Sequence, residues 1–289
     1  LTRDDVIIVA SVSCIYGLGS PEDYQAGRLN LEVGQVMTRQ ELIKKLVGIY
    51  YERTNTDLIR GGVFRAIGDS IEILTPGERE IYNIILSDGQ IAQIKKLDPV
   101  SRAILEMPQG ESVMIFPAKH FITPPDERRR AVVSIREELQ EQLEQFEREG
   151  KLLEAERLKR RTTYDLAMLE EIGYCNGIEN YSRHLSGRPA GEPPDTLLAY
   201  FQKDFLTIID ESHVTVPQIS GMYVGDESRK KTLVEHGFRL PSALDNRPLK
   251  FAEFMERLLP VPITWARSKI SLPRPRRILK KAGGLWQPL

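Results

Sequence analysis

Apolar positions along the chain fall into three patterns, and each predicts a different kind of element. Val6 to Val12 is a continuous run of β-branched and small residues between Asp5 and Gly17/Gly19, the pattern of a strand buried on both faces. Residues 205–209, Phe-Leu-Thr-Ile-Ile, form a second such run and stop at Asp210-Glu211. Two runs of this type predict neighbouring strands of one parallel sheet, with everything between them inserted. From Thr38 to Tyr51, Leu42, Ile43, Leu46, Val47 and Tyr50 instead recur at helical spacing, and Thr38 with Glu41 makes a capping box. Period-two stretches then take over at Gly62–Leu74, Glu80–Leu86, Gln90–Leu97 and Ser112–Phe116, with Ser87-Asp88-Gly89 as a hairpin turn in which Gly89 takes positive φ. Beyond Pro124-Pro125, Val132, Ile135, Leu139, Leu143 and Phe146 predict a charged amphipathic helix that Gly150 breaks. A second helix, Leu152–Ile172, folds back on it as a hairpin whose charges are solvated faces. Gly173–Pro194, rich in Gly, Pro, Ser and Asn, reads as a loop holding Asn176, Glu179, Asn180, Tyr181, Arg183 and His184.

Composition narrows the class without changing this layout. With 289 residues, 41% hydrophobic and 28% charged, the chain can bury one or two ordinary cores. The Val6–Val12 run is about a third of the roughly 20 residues a membrane span needs, and the first residues lack a signal-peptide pattern, so a cytoplasmic setting is expected. Cys14 and Cys175 stand far apart, which excludes a disulfide framework and a four-cysteine zinc site and leaves buried thiols. The net charge of −1 hides a basic end: residues 259–289 hold seven Lys/Arg and no Asp/Glu. That composition predicts a solvated tail without regular structure; contact with nucleic acid is the weaker alternative.

The sharpest chemical signal is the strand that ends in Asp210-Glu211-Ser212-His213. It looks like a Walker B element. An Asp in this place holds Mg²⁺, a hard cation that prefers oxygen ligands, a neighbouring Glu orients or deprotonates the attacking water, and the His of a D-E-x-H box couples the nucleotide to nucleic acid. Two exposed acids at a strand end are the alternative reading of so short a motif. The chemistry also demands a phosphate cradle, G-x-x-x-x-G-K-[ST], and the chain has none: its single Gly-Lys pair, Gly150-Lys151, is followed by Leu152. The chain is therefore either no ATPase or a piece of one, and the opening Leu1 favours the piece. No zinc-ligand spacing links His120, His184, His213 and His236, and no G-x-S-x-G elbow is present.

Four blocks carry a closer resemblance: residues 6–19, residues 173–187 (Gly-Tyr-Cys-Asn-Gly-Ile-Glu-Asn-Tyr-Ser-Arg-His-Leu-Ser-Gly), residues 210–218 (Asp-Glu-Ser-His-Val-Thr-Val-Pro-Gln) and residues 237–249. In order and content they resemble the UvrB family, the damage-verifying subunit of bacterial UvrABC nucleotide excision repair. The resemblance runs from residue 1 to about 258 and implies an α/β fold: a partial RecA-like (P-loop helicase) domain with an inserted α+β UvrA-interaction module and a helical subdomain. It assigns residues 1–24 and 173–258 to the RecA-like domain, 25–123 to the UvrA-interaction module, 124–172 to the helical hairpin and 259–289 to a divergent tail.

By the same resemblance, Asp210 and Glu211 are the Mg²⁺-holding and water-activating pair and His213 the coupler, with ATP and Mg²⁺ as cofactors of the parent family. UvrA, UvrC and damaged DNA are the parent's partners. Arg53 and Arg65 carry over as UvrA-binding residues. A third family arginine is replaced by Ile67, and a later Arg and Glu fall near Tyr82 and Ile84. Tyr181, Ser182 and Arg183 would face DNA or a domain interface, although a satisfied polar core accounts for them equally well. The Ser-Ala-Thr-Pro-Gly motif expected soon after Arg257 is absent, as a change of reading frame near codon 259 would explain. The expectation is a truncated UvrB-like chain that does not hydrolyse ATP alone; the rivals are a non-enzymatic UvrA-binding adaptor and a divergent complete ATPase.

Overall fold

The computed structural model describes residues 5–77, 80–105, 112–201, 205–258 and 263–265. Contacts divide the chain into two units, Ser20–Ile122 and a discontinuous one formed by Leu1–Gly19 with Thr123–Leu289.

The Ser20–Ile122 unit begins with a short helix, α1 (Pro21–Ala26), and a strand, β1 (Leu29–Glu32). Helix α2 (Arg39–Gly48) starts where the capping box predicts: Glu41 N–H donates to Thr38 Oγ1 at 3.2 Å and Thr38 N–H to Glu41 Oε2 at 2.8 Å. Five strands follow, β2 (Glu52–Arg53), β3 (Val63–Ile67), β4 (Ser70–Leu74), β5 (Ile81–Ser87) and β6 (Gln90–Leu97), forming one sheet in sequence order. β2 runs parallel to β3, and the other pairs are antiparallel. The period-two stretch Gly62–Leu74 is thus two strands, not one, because the chain reverses at Gly68, whose φ of 55° lies in the region glycine adopts freely. At the β5–β6 turn both Asp88 (φ 51°) and Gly89 (φ 75°) are left-handed, the twist-matched form of a two-residue hairpin. β7 (Ser112–Ile115) leaves this sheet and pairs antiparallel with β1, Leu29 opposite Ile115. The sheet's inner face, Phe64, Ile71, Ile73 and Ile84, closes on Leu42 and Leu46 of α2 and on Leu31 and Ile115 of the small sheet.

In the second unit α3 (Pro125–Arg148) and α4 (Leu152–Glu171) form the predicted helical hairpin, turning at Gly150 with φ 71°. Its buried stripe joins Val132, Ile135, Leu139 and Phe146 to Leu158, Leu166 and Leu169. The following stretch is not simply a loop: Ile178–Tyr181 is a 3₁₀ turn and Ser182–Ser186 a helix, α5. Strand β8 (Thr207–Ile209) leads into α6 (Ser212–Glu235), a 3₁₀ turn spans Pro241–Asp245, α7 covers Phe251–Leu258, and β9 (Ile263–Trp265) pairs parallel with β8.

Two expectations are corrected here. Residues 6–11 form no strand: Ile7 and Val9 are 93% and 96% exposed, and the chain enters the core only at the 3₁₀ turn Val12–Ile15, where Ile15 is fully buried and its carbonyl accepts from Leu249 N–H at 3.0 Å. A strand buried on both faces needs paired neighbours, and among the described residues β8 pairs only with β9. Conversely, residues 263–265 of the expected structureless tail form that β9 strand; the rest of the tail, 259–262 and 266–289, lies outside the described residues.

Candidate functional site

Strand β8 delivers its carboxylates at a sharp strand-to-helix turn. Glu211 sits in the left-handed region, φ 43° and ψ 47°, a conformation that costs a non-glycine residue of order 1–3 kcal/mol and persists where surrounding structure imposes it. Asp210 Oδ1 accepts from Glu211 N–H at 2.9 Å, and the Asp210 carbonyl accepts from Thr215 Oγ1 at 2.9 Å. The turn thus turns both acids outward at the N-terminus of α6, where the helix dipole favours negative charge. His213 Nδ1 stands 3.2 Å from Glu211 Oε2, so the structure brings Asp210, Glu211 and His213 together at one exposed strand end.

This donor set suits a hard cation that keeps waters and phosphate oxygens as its remaining ligands, as Mg²⁺ does with one or two carboxylates. Among the described residues no cluster of three or more His, Cys, Asp or Glu could hold a metal on its own. Asp210 and Glu211 supply two carboxylates to such a complex, and the phosphate cradle G-x-x-x-x-G-K-[ST] does not occur in this sequence.

Tyr181, Ser182 and Arg183 belong to a polar network. Tyr181 and Ser182 are buried, and Tyr181 Oη donates to Asp165 Oδ2 at 2.8 Å, which Arg161 Nε also reaches at 2.9 Å. Arg183 bridges Asp245 Oδ2 at 2.9 Å and Glu138 Oε1 at 3.2 Å. Glu138 also accepts from Ser242 N–H at 2.8 Å and from His184 Nε2 at 2.7 Å, while Ser134 Oγ lies 2.9 Å from His184 Nδ1. Burial pushes the Glu138 carboxyl up, but the bonds from His184 and Ser242 outweigh it and hold the group below its usual range. Arg247 closes the network, donating to Glu253 at 2.7 and 2.8 Å and to the Gly191 carbonyl at 2.9 Å. A sequence signal for Asp165 and Glu138 did exist: Asp165 sits on the apolar stripe of α4 and Glu138 beside that of α3, and a charge in such a place demands a partner. Cys175 is fully buried, and burial pushes its thiol up to about 12.

On the five-stranded sheet Arg53 is exposed on β2, in register with Phe64. Arg65 stands on the outer face of β3, where Nη2 reaches Glu72 Oε2 at 2.8 Å and Nη1 reaches Asp57 Oδ1 at 3.1 Å; Arg102 Nη1 adds to Glu72 at 3.2 Å. The register makes Arg65, Glu72, Asn83 and Lys95 one cross-strand row and Ile67, Ser70, Ile85 and Gln93 the next. Tyr82 and Ile84, expected to fall on this surface, point to the opposite face and pack in the core, because side chains alternate along a strand. The outward β5 positions are Asn83 and Ile85.

Comparison with known proteins places these parts. Residues 29–121 match the family model described as UvrB interaction domain, and residues 126–187 the one described as UvrB third helical domain. The chain is 53% identical over 257 residues to UvrABC system protein B of Synechococcus sp. (strain JA-2-3B'a(2-13)), covering 89% of this chain and 36% of that protein. The protein of that name from Carboxydothermus hydrogenoformans is 55% identical over 257 residues, 89% of this chain and 38% of its own length. That from Bacillus licheniformis is 54% identical over 258 residues, 89% of this chain and 38% of its own length. The chain thus spans under two-fifths of the length of these relatives.

Proposed function

Because the chain belongs to the UvrB family, we propose that it is a UvrB segment of nucleotide excision repair whose working part is a docking module for UvrA, formed by Ser20–Ile122. The observation that carries this reading is the match of residues 29–121 to the interaction domain, together with the ordered charged row on the outer face of its sheet. Arg53 and Arg65 supply the positive charge that a partner carboxylate would meet. Charged rims of this kind set association rate and register more than affinity.

The second part of the reading concerns the β8–α6 turn. Asp210 would hold Mg²⁺, Glu211 would orient or deprotonate water, and His213, against Glu211, would sense that carboxylate's state. Bound ATP and Mg²⁺ would supply the phosphoryl chemistry. With the carboxylates present and no cradle for the phosphates, the chain alone is expected to leave ATP unhydrolysed. UvrC, damaged DNA and a cytoplasmic setting belong to the reading of the whole family protein. Among the described residues no helix is long and apolar enough to cross a membrane.

Titration of the purified chain with purified UvrA, followed by calorimetry, tests the docking role. Saturable binding at micromolar concentration or tighter, abolished by Arg65→Glu, is the expected result. A chain shown folded by circular dichroism that gives no heat with UvrA would overturn it.

A further inference from the structure

Residues 6–11, Val-Ile-Ile-Val-Ala-Ser, form an apolar run that no strand pairs among the described residues. Ile7 and Val9 are 93% and 96% exposed, and Val6 and Ile8, at the alternate positions, are 49% and 46% exposed, so neither face of the run is packed. Residues 6–10 make no backbone hydrogen bond among the described residues. We propose that this run is a self-association surface whose occupant is the same run of a second copy of the chain, joined to it by antiparallel β-pairing. This inference is independent of the docking and nucleotide readings.

Three features choose a second copy as the occupant. The run has the composition of segments that stack on their own copies: Val6, Ile7, Ile8 and Val9 are all β-branched, and the six residues include no Pro, Gly or charge. Its unpaired N–H and C=O groups offer a template along both edges, which an identical extended strand satisfies. The charge next to the run sets the direction. Parallel in-register pairing would place Asp5 against Asp5, whereas the antiparallel register with Ile7 opposite Val9 places Asp5 against Ser11. In that register Ile7 and Val9 of both copies share one face. The pair supplies six residues from each copy, where a stable interface uses roughly 20–30 a side, so it does not close as a discrete dimer. Each paired strand keeps one free edge, and association continues by further copies as concentration rises.

The test is light scattering of the full chain from about 1 to about 100 μM, with the amide I infrared band read on the same samples and repeated for Ile7→Lys and Val9→Lys. The control is Leu152→Lys, which adds the same charge at a side chain 68% exposed on α4. The native chain is expected to grow in mass with concentration and to gain antiparallel β signal as it does. Each of the two Lys variants in the run should raise the onset concentration by about tenfold or more, while the control keeps the native onset. Ile7 and Val9 touch so little of the fold that their variants keep the native circular dichroism spectrum. A chain that stays monomeric throughout, growth without added β signal, or suppression by Leu152→Lys as strong as by Ile7→Lys overturns the proposal.

Discussion

Glu138→Ala is the perturbation whose cost the structure specifies most closely. The side chain is 12% exposed and accepts from three donors on two other elements: His184 and Arg183 on α5 and the Ser242 amide in the 3₁₀ turn Pro241–Asp245. Removing it leaves His184 and the Ser242 N–H without that acceptor, while Arg183 retains Asp245. Breaking a buried ion pair by deleting one partner costs about 3–5 kcal/mol. Glu138→Gln preserves shape and two acceptor bonds but loses the charge, so about 1–3 kcal/mol is expected. An internal standard exists on the same hairpin: Arg136–Glu170, at 2.7 Å, has both side chains about half exposed, so Glu170→Ala should cost under about 1 kcal/mol. Urea unfolding followed at 222 nm reads this unit, since α3 to α7 lie in it. The folded carboxyl titrates below its ordinary 4.5, so it contributes stability above about that pH and loses it as pH falls through the folded value. In Glu138→Ala that part of the acid sensitivity should vanish. A loss under about 1 kcal/mol, equal to that of Glu170→Ala, would refute the claim that this carboxylate ties the three elements together.

Other outcomes follow from single contacts. A methyl at Gly237, where φ is 68°, would lie 2.3 Å from the Glu154 carbonyl oxygen, so Gly237→Ala should destabilise the second unit by more than about 1 kcal/mol in the same urea assay. Phe64 is fully buried under the five-stranded sheet, and Phe64→Ala should cost about 3–5 kcal/mol, read as lost protection of β3 and β4 amides in hydrogen exchange. Cys175, with its thiol pushed up to about 12, should resist iodoacetamide at pH 8 in the folded chain and react promptly in urea.

How far the sequence reveals these features depends on how local they are. The α2 capping box, the Asp88-Gly89 hairpin and the α3–α4 hairpin each rest on residues within a few positions of one another, and all three form where the pattern predicts. Helix α6 escapes because Val214, Thr215 and Val216, then Pro217, Gly221 and Gly225, argue against a helix. It is held instead by tertiary partners: Ile219 packs with Ile209 and Ile15, and the buried Lys230 pairs with Asp226 and donates to the Asn246 carbonyl. Val6–Val12 errs the opposite way, since an apolar run names a strand only if partners exist to pair with it. At the site the same rule holds. Asp210, Glu211 and His213 fall within four positions, whereas Glu138 meets its partners across 45 to 104 positions, and those partners emerge only from the fold.

The interaction sheet shows why position on a face matters more than the identity of a charge. Arg65 is not a free cation: Glu72, largely buried, holds one end, and Asp57, on the exposed loop, holds the other. Two ion pairs of such different burial respond differently to a docking partner. The solvent-exposed Asp57 contact is worth at most about 1 kcal/mol, so an incoming carboxylate can replace it at Nη1 while Nη2 stays on Glu72. Next to it, Ile67 is 54% exposed on the same face as Ile85. It follows that Asp57→Ala should leave UvrA binding unchanged or slightly tighter, because it removes a competitor. Glu72→Ala should weaken it several-fold if docking runs through Arg65 as proposed, because it would free Arg65 from the orientation that Glu72 imposes. The two variants, compared by calorimetry at one salt concentration, separate a positioned arginine from a merely positive patch, and the opposite ranking would mean that net charge alone governs docking.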